Sequence, residues 1–218
     1  MRRATLLVLC AVLLGLSACK MNKGIAGSGV RKTEKRELKP FKAIDTNGAY
    51  EVEVTCQKPL AFEIEADDNI LPLIKTEVRD GILFVTSDQT YRSSRAVSLR
   101  MTVPELVAVS SRGAGQIKVT DASGDNLKIE SRGAAAVEAA GNVKTLTVSS
   151  TGAGDIKVSN LHAQKATVEV TGAASVDVYA TEQLDVTVSG VGSVSYSGNP
   201  KTVNKGVSGF GSVNKKGD

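Results

Sequence analysis

Tryptophan is absent from this chain, and four phenylalanines and four tyrosines are its only aromatic residues. A core without large rings must be assembled from thin layers of Val, Ile, Leu and Ala, as in a solenoid whose repeats each add a few small side chains to a narrow interior. Histidine occurs once, at His162. It has no partner close in sequence and is expected as an exposed loop residue rather than a general base. The one adjacent acidic pair, Asp67-Asp68, precedes Asn69 in an expected turn and is assigned to surface solvation rather than to calcium. The other acids are scattered and often countered by lysine, so the paired carboxylates of polysaccharide cleavage are not in view. No Gly-x-Ser-x-Gly elbow opens a helix, and no glycine-rich loop is placed to cradle a phosphate. No catalytic residue, metal ligand or cofactor is assigned.

Long hydrophobic runs are missing as well. Met1-Arg2-Arg3 is followed by an apolar stretch from Ala4 to Leu16, too short to span a bilayer stably and read as an export signal. It ends in Leu16-Ser17-Ala18-Cys19, which resembles the lipobox of bacterial lipoproteins, where the signal is cut before a cysteine that then carries acyl chains. Several acyl chains anchor a protein far better than one does. Cysteine is scarce: Cys10 leaves with the signal, Cys19 is lipidated, and Cys56 stands alone, so the mature chain forms no internal disulfide. Cys56 follows Val52 and Val54 at period two and is expected to point inward as a small hydrophobe.

Charge is unevenly placed. The formal net charge of +4 falls to +2 once Arg2 and Arg3 are removed. Between Lys20 and Lys42, eight basic residues (Lys20, Lys23, Arg31, Lys32, Lys35, Arg36, Lys39, Lys42) face Glu34 and Glu37, a net +6, which leaves the rest of the mature chain at −4. A basic stretch beside an acyl anchor suits an anionic membrane surface. It is not a nucleic-acid signature, because no aromatics interleave with the basic residues and export removes the protein from DNA.

What the chain does have is glycine in register. Gly48/Val52, Gly113/Ile117, Gly133/Val137, Gly152/Ile156, Gly172/Val176, Gly190/Val194 and Gly209/Val213 each set a glycine four places before an aliphatic residue, and from Gly113 on the glycines are 20, 19, 20, 18 and 19 apart. A period near 19 reads as one turn of a stacked coil. Short alternating strands flank each glycine, as in Leu127-x-Ile129 before Gly133 and Ile156-x-Val158 after Gly152, with the glycine as the corner. The fold class predicted is all-β: a right-handed single-stranded parallel β-helix with an antiparallel hairpin in the N-terminal third. Asp80-Gly81 between two apolar runs marks that hairpin, and Ser87 to Arg95 is expected as a polar loop. The organisation predicted is a signal peptide over residues 1–18, a lipidated basic tether over 19–37 spanning on the order of 25 Å as a flexible coil, and a head over 38–218.

Aligned on the glycines, the repeats form columns. Five places on stand Lys118, Glu138, Lys157 and Asp177, alternating in sign and expected about 4.8 Å apart on the outer face. Just before the glycine stand Arg112 and Arg132, candidate ligands for an acidic glycan or carboxylate because arginine grips such groups bidentately. Thr151, Thr171, Ser189 and Ser208 continue that column as small hydroxyls.

These phrases in their order resemble the head GIN domain family of auto-transporter adhesins. The resemblance is carried by Gly27-Ser28-Gly29, Phe41-x-x-Ile44, Tyr50-x-Val52-x-Val54, the run from Ser189 to Pro200, and Ser208-Gly209-Phe210-Gly211-Ser212-Val213. It covers residues 27 to 214 and implies an exported, often lipid-anchored protein with a right-handed β-helix, an adhesion-like role and no catalytic residues. The acidic cluster that often follows the anchor cysteine in surface-displayed relatives is replaced here by Lys20-Met21-Asn22-Lys23. Both faces of the outer membrane therefore stay open. The function expected is a lipid-anchored envelope protein with a non-catalytic binding head. Its partners would be the membrane, a glycan or envelope protein, or a second copy of itself. The alternatives are a periplasmic scaffold and, third, an enzyme acting on polysaccharide.

Overall fold

Alternation of branched aliphatic with polar residues favours strands, because branched side chains pack well on a pleated surface. The computed structural model describes residues 24–216, and among them the only helical element is a 3-10 turn, Leu71–Leu73, that contains Pro72. No helix among the described residues is long and apolar enough to cross a membrane. The stretch expected as a signal peptide, Cys10, Cys19 and the start of the expected tether lie outside the described residues. The strands are β1 (Ile25–Ala26), β2 (Arg31–Lys35), β3 (Ala43–Thr55), β4 (Ala61–Asp67), β5 (Ile74–Arg79), β6 (Ile82–Ser87), β7 (Tyr91–Arg92), β8 (Val97–Thr102), β9 (Ala108–Gly152), β10 (Asp155–Gly172), β11 (Ser175–Gly190), β12 (Ser193–Ser197), β13 (Thr202–Gly209) and β14 (Ser212–Lys215). All but β1 and β7 join one open 12-stranded sheet, whose main path runs β14-β12-β11-β10-β9-β3-β8-β4-β2.

The glycine repeat sets the register of the parallel part. Gly48 of β3 lies opposite Gly113 of β9. Gly172 of β10 lies opposite both Gly152 and Gly190, and Gly190 lies opposite Gly209. The aliphatic residues four places further on stack as one buried ladder, Val52, Ile117, Val137, Ile156, Val176 and Val194. Each such side chain contributes about 2 kcal/mol by leaving water. Only glycine fits the corner. Gly133 has φ +144, and a Cβ there would overlap the carbonyl oxygen of Gly113 in the row beside it.

The sheet is mixed and open, with more antiparallel pairing than the single expected hairpin. That hairpin is present: β5 and β6 pair antiparallel, with Asp80 (φ 51) and Gly81 (φ 73) between them in the left-handed conformation a tight turn requires. In addition β4 runs antiparallel to β8 on one side and to β2 on the other. Only 56–60 connect β3 to β4, and a parallel return needs a crossover of about a dozen residues or more, so the chain reverses.

Two expectations about the N-terminal third are corrected. From Gly24 on, the segment assigned to a flexible tether is held in the fold: β2 pairs with β4, and β1 pairs in parallel with β7, inside the stretch expected as a polar loop. Asp67 is not a surface-solvating residue, being only 2% exposed. Its carboxylate accepts from Ser93 Oγ at 2.9 Å and from the Gly29 amide at 3.3 Å, with Arg31 Nη1 at 3.7 Å. Asp68 accepts from Ser28 Oγ at 2.5 Å, while Asn69 Oδ1 accepts from the Ser28 amide and its Nδ2 donates to Ala26 O. Asp67, Asp68 and Asn69 thus clasp Gly27-Ser28-Gly29.

Three substitutions check these accounts. Gly133→Ala should cost more than about 2 kcal/mol in urea unfolding, because strain and overlap add. Gly81→Ala, where a Cβ meets nothing within 4 Å, should cost only about 1 kcal/mol. Asp67→Ala should lose about 2 kcal/mol by leaving the Ser93 hydroxyl and the Gly29 amide without their acceptor and should open residues 25–30 to proteolysis before the rest of the head.

Candidate functional site

The outer face leading to the glycine corner brings Arg112 and Arg132 into neighbouring rows, each beside a carboxylate. Arg112 Nη2 lies 2.7 Å from Asp45 Oδ1, and Arg132 Nη2 lies 3.5 Å from Glu130 Oε2. Lys128 Nζ reaches the other oxygen of Glu130 at 2.7 Å. Lys128 holds the Glu130 carboxyl below the usual carboxylate range, with Arg132 and Arg112 adding to the effect. Asp45 goes the other way. Its burial raises its pKa, and the nearby arginines offset this only in part. Three cations thus face two carboxylates, a compact charge-mixed patch with one positive charge in excess.

Beyond the arginines the same column turns to hydroxyls. Thr151 lies opposite Thr171, Thr171 opposite Ser189, and Ser189 opposite Ser208. A flat surface results, charged at the Arg112 end and hydroxyl-bearing below, able to donate and accept hydrogen bonds at a strand-spacing repeat.

The alternating column has the expected neighbours, with Lys157 opposite Glu138 on one side and Asp177 on the other. Its close ion pairs run elsewhere, because same-strand and terminal partners reach more easily: Lys157 binds Asp155 at 2.9 Å, and Asp177 binds Lys216 at 2.7 Å. Lys118, Glu138, Lys157 and Asp177 line a shallow groove of about 250 Å³. His162 is exposed and its ring packs against Tyr179, with centroids 4.4 Å apart. Cys56 is buried and free; burial, with Asp121 nearby, pushes its thiol up to about 11, so it stays protonated at neutral pH.

A second concavity was not read from the sequence. Phe41, Ala43, Leu60, Ile82, Pro104 and Val107 contribute to a largely apolar cleft of about 800 Å³, with the Lys42–Glu105 ion pair (2.5 Å) and Asp80 at its mouth. It forms where the tip of the β5–β6 hairpin meets the starts of β3 and β9. Its lining comes from four separate stretches of chain, so no local motif announces it.

The Asp45–Arg112 pair makes a pH prediction. Removing the arginine raises the already elevated Asp45 pKa further, which penalises folding wherever the carboxyl is ionised in the unfolded chain. The loss is full above the raised folded value and fades as the pH falls through it towards the unfolded value near 4. Arg112→Ala should therefore lower Tm at pH 7 more than at pH 4, as followed by circular dichroism.

Comparison with known proteins places this geometry. The crystal structure described as a putative adhesin from Bacteroides fragilis NCTC 9343 superposes with a TM-score of 0.70 at 25% identity, covering 88% of this chain and 100% of that one. One described as a putative lipid binding protein from Parabacteroides distasonis ATCC 8503 gives a TM-score of 0.58 at 21% identity, covering 88% and 99%. A putative adhesin from Parabacteroides merdae ATCC 43184 gives 0.56 at 20% identity, with the same coverage of 88% and 99%. The last two likenesses concern the fold alone. No curated protein matches the chain. Residues 40–200, which hold the arginine face, the apolar cleft and all but the last of the corner glycines, match the family described as "Putative auto-transporter adhesin, head GIN domain", and the chain belongs to that family.

Proposed function

We propose that this protein is a lipid-anchored component of the bacterial outer membrane, held by Cys19, whose head is a right-handed parallel β-helix that binds a partner and performs no catalysis. The observation that carries this reading is the shared register of the glycine rows, which lays Arg112, Arg132 and the hydroxyl column on one flat face. Such a face suits an extended ligand that meets the same chemistry at each step. An acidic glycan, or an envelope protein with a carboxylate-rich surface, complements the excess cation at the arginine end. Membership of an adhesin-like family supports a place in the cell envelope, and the lipobox-like Leu16-Ser17-Ala18-Cys19 supports the anchor.

A periplasmic scaffold is the second reading, favoured by one observation: Asp45 and Glu130 already neutralise most of the arginine charge. A polysaccharide-acting enzyme ranks third and would show itself as turnover of an acidic polysaccharide.

Protease shaving and antibody labelling of intact cells, with a known periplasmic lipoprotein as leakage control, separate the first two readings. Surface exposure predicts that the head is cut on intact cells. The scaffold predicts cutting only after the envelope is opened. For the binding face, Arg112→Ala/Arg132→Ala should lower retention on an acidic-glycan array by about tenfold or more, with the circular dichroism spectrum unchanged. Equal retention by the variant refutes the arginine site.

A further inference from the structure

The two ends of the sheet are finished differently. At the β2 end, antiparallel strands and charged side chains cover the parallel rows. At the other end, β13 pairs only with β11 and β14 only with β12, so each has one edge unpaired among the described residues. Free N–H and C=O groups along an edge are a template for another strand.

Three further observations coincide there. First, the large apolar side chains that stand exposed among the described residues are Val30 and three at this end: Val191 at 60%, Val207 at 47% and Phe210 at 92%. Val191 and Phe210 each follow a corner glycine in adjacent rows, with their amides donating to Gly172 O and Gly190 O, so they are neighbours on the surface. Second, residues 200–216 contain Lys201, Lys205, Lys215 and Lys216 and no acid. Third, Lys205 stands opposite Val186, where the earlier rows bury an aliphatic. Its Nζ instead crosses the end of the core to Val213 O at 3.2 Å, over the Tyr196 ring at 4.9 Å.

Lysines on an edge are a known guard against unwanted pairing, and they oppose a second copy of this chain, whose last row would bring four more cations to the same place. They do not account for Phe210. A guarded edge has no need of an aromatic side chain in water, whereas a binding edge uses one as an anchor. The charge that repels a second copy attracts a strand of opposite charge.

We propose that the last row is a strand-addition site for an extended acidic segment of a partner protein. The segment pairs with the free edge of β13, sets its carboxylates among Lys201, Lys205 and Lys215, and covers Phe210 and Val207 with an apolar side chain. This inference does not depend on the arginine face, and its test uses neither arginine.

The full chain in detergent would be titrated into a fluorescein-labelled octapeptide of alternating Val and Glu, read by fluorescence polarisation, with a Val–Lys peptide as control. The Val–Glu peptide is expected to bind and the Val–Lys peptide is not. Phe210→Ser and, separately, Lys201→Glu/Lys215→Glu should each weaken binding on the order of tenfold, and raising the salt should weaken the wild type. Val30→Ser, at the opposite end of the sheet, should change nothing. Amide hydrogen exchange should slow across Thr202–Gly209 on binding. Equal binding of the two peptides, no binding of either, or binding without new protection in β13 would overturn the proposal. So would adsorption of this end to phosphatidylglycerol vesicles with no protection of β13 by the peptide.

Discussion

The stack of glycine rows rests on backbone approaching backbone at the corner. The carbonyl oxygen of each corner glycine occupies the space a Cβ of the next would need, as Gly113 does for Gly133 and Gly152 does for Gly172. Because the corner is bare, adjacent rows can sit at hydrogen-bonding distance through a sharp bend, and the aliphatic ladder from Val52 to Val194 closes behind it. The corner also fixes where the outward side chains stand. Arg112 follows Asn47 in the column, and the hydroxyls follow Arg132, only because the glycines beside them coincide. The candidate face is a by-product of a packing rule.

This explains which parts of the molecule were legible in the sequence. A glycine every 18 to 20 residues is a local signal repeated, and it gave the rows, their register and the alignment of Arg112 with Arg132. Asp80-Gly81 specifies its own turn, and Cys56 follows the inward phase of Val52 and Val54. The antiparallel strands at the other end were not legible in the same way. β2 reads as a charged run because four of its five side chains are exposed and it is held by backbone pairing to β4, about thirty residues on. Nor does Asp67 show its burial: the groups that satisfy it come from Gly29, Arg31 and Ser93, on either side of it in the chain.

The candidate site was half visible. The arginine column could be read, but the acids that neutralise it could not, since Asp45 and Arg112 meet across an excursion of more than sixty residues. One signal was available. Counting back from each glycine puts Asp45 and Glu130 two places before the arginine column, so alignment of outward positions two at a time would have paired them. The apolar cleft leaves no such trace, being assembled from chain stretches that share no period.

The path of the chain also divides the head by how far apart in sequence its contacting residues lie. From Gly133 to Gly209, each row meets its neighbour after about twenty residues. β3 must wait for β9, and residues 56–107 intervene between them. The entropy cost of loop closure rises with the logarithm of such separations, and contacts distant in sequence form more slowly than local ones. The repeat rows can therefore assemble quickly and locally, while the docking of β3 onto β9, with the antiparallel strands β2 and β4 beyond β8, is the slow, late event. Synthesis, amino end first, releases the slow-folding portion before the rows it must dock against. Until those rows form, the unpaired strands of the N-terminal third are the segment most in need of protection from misassociation.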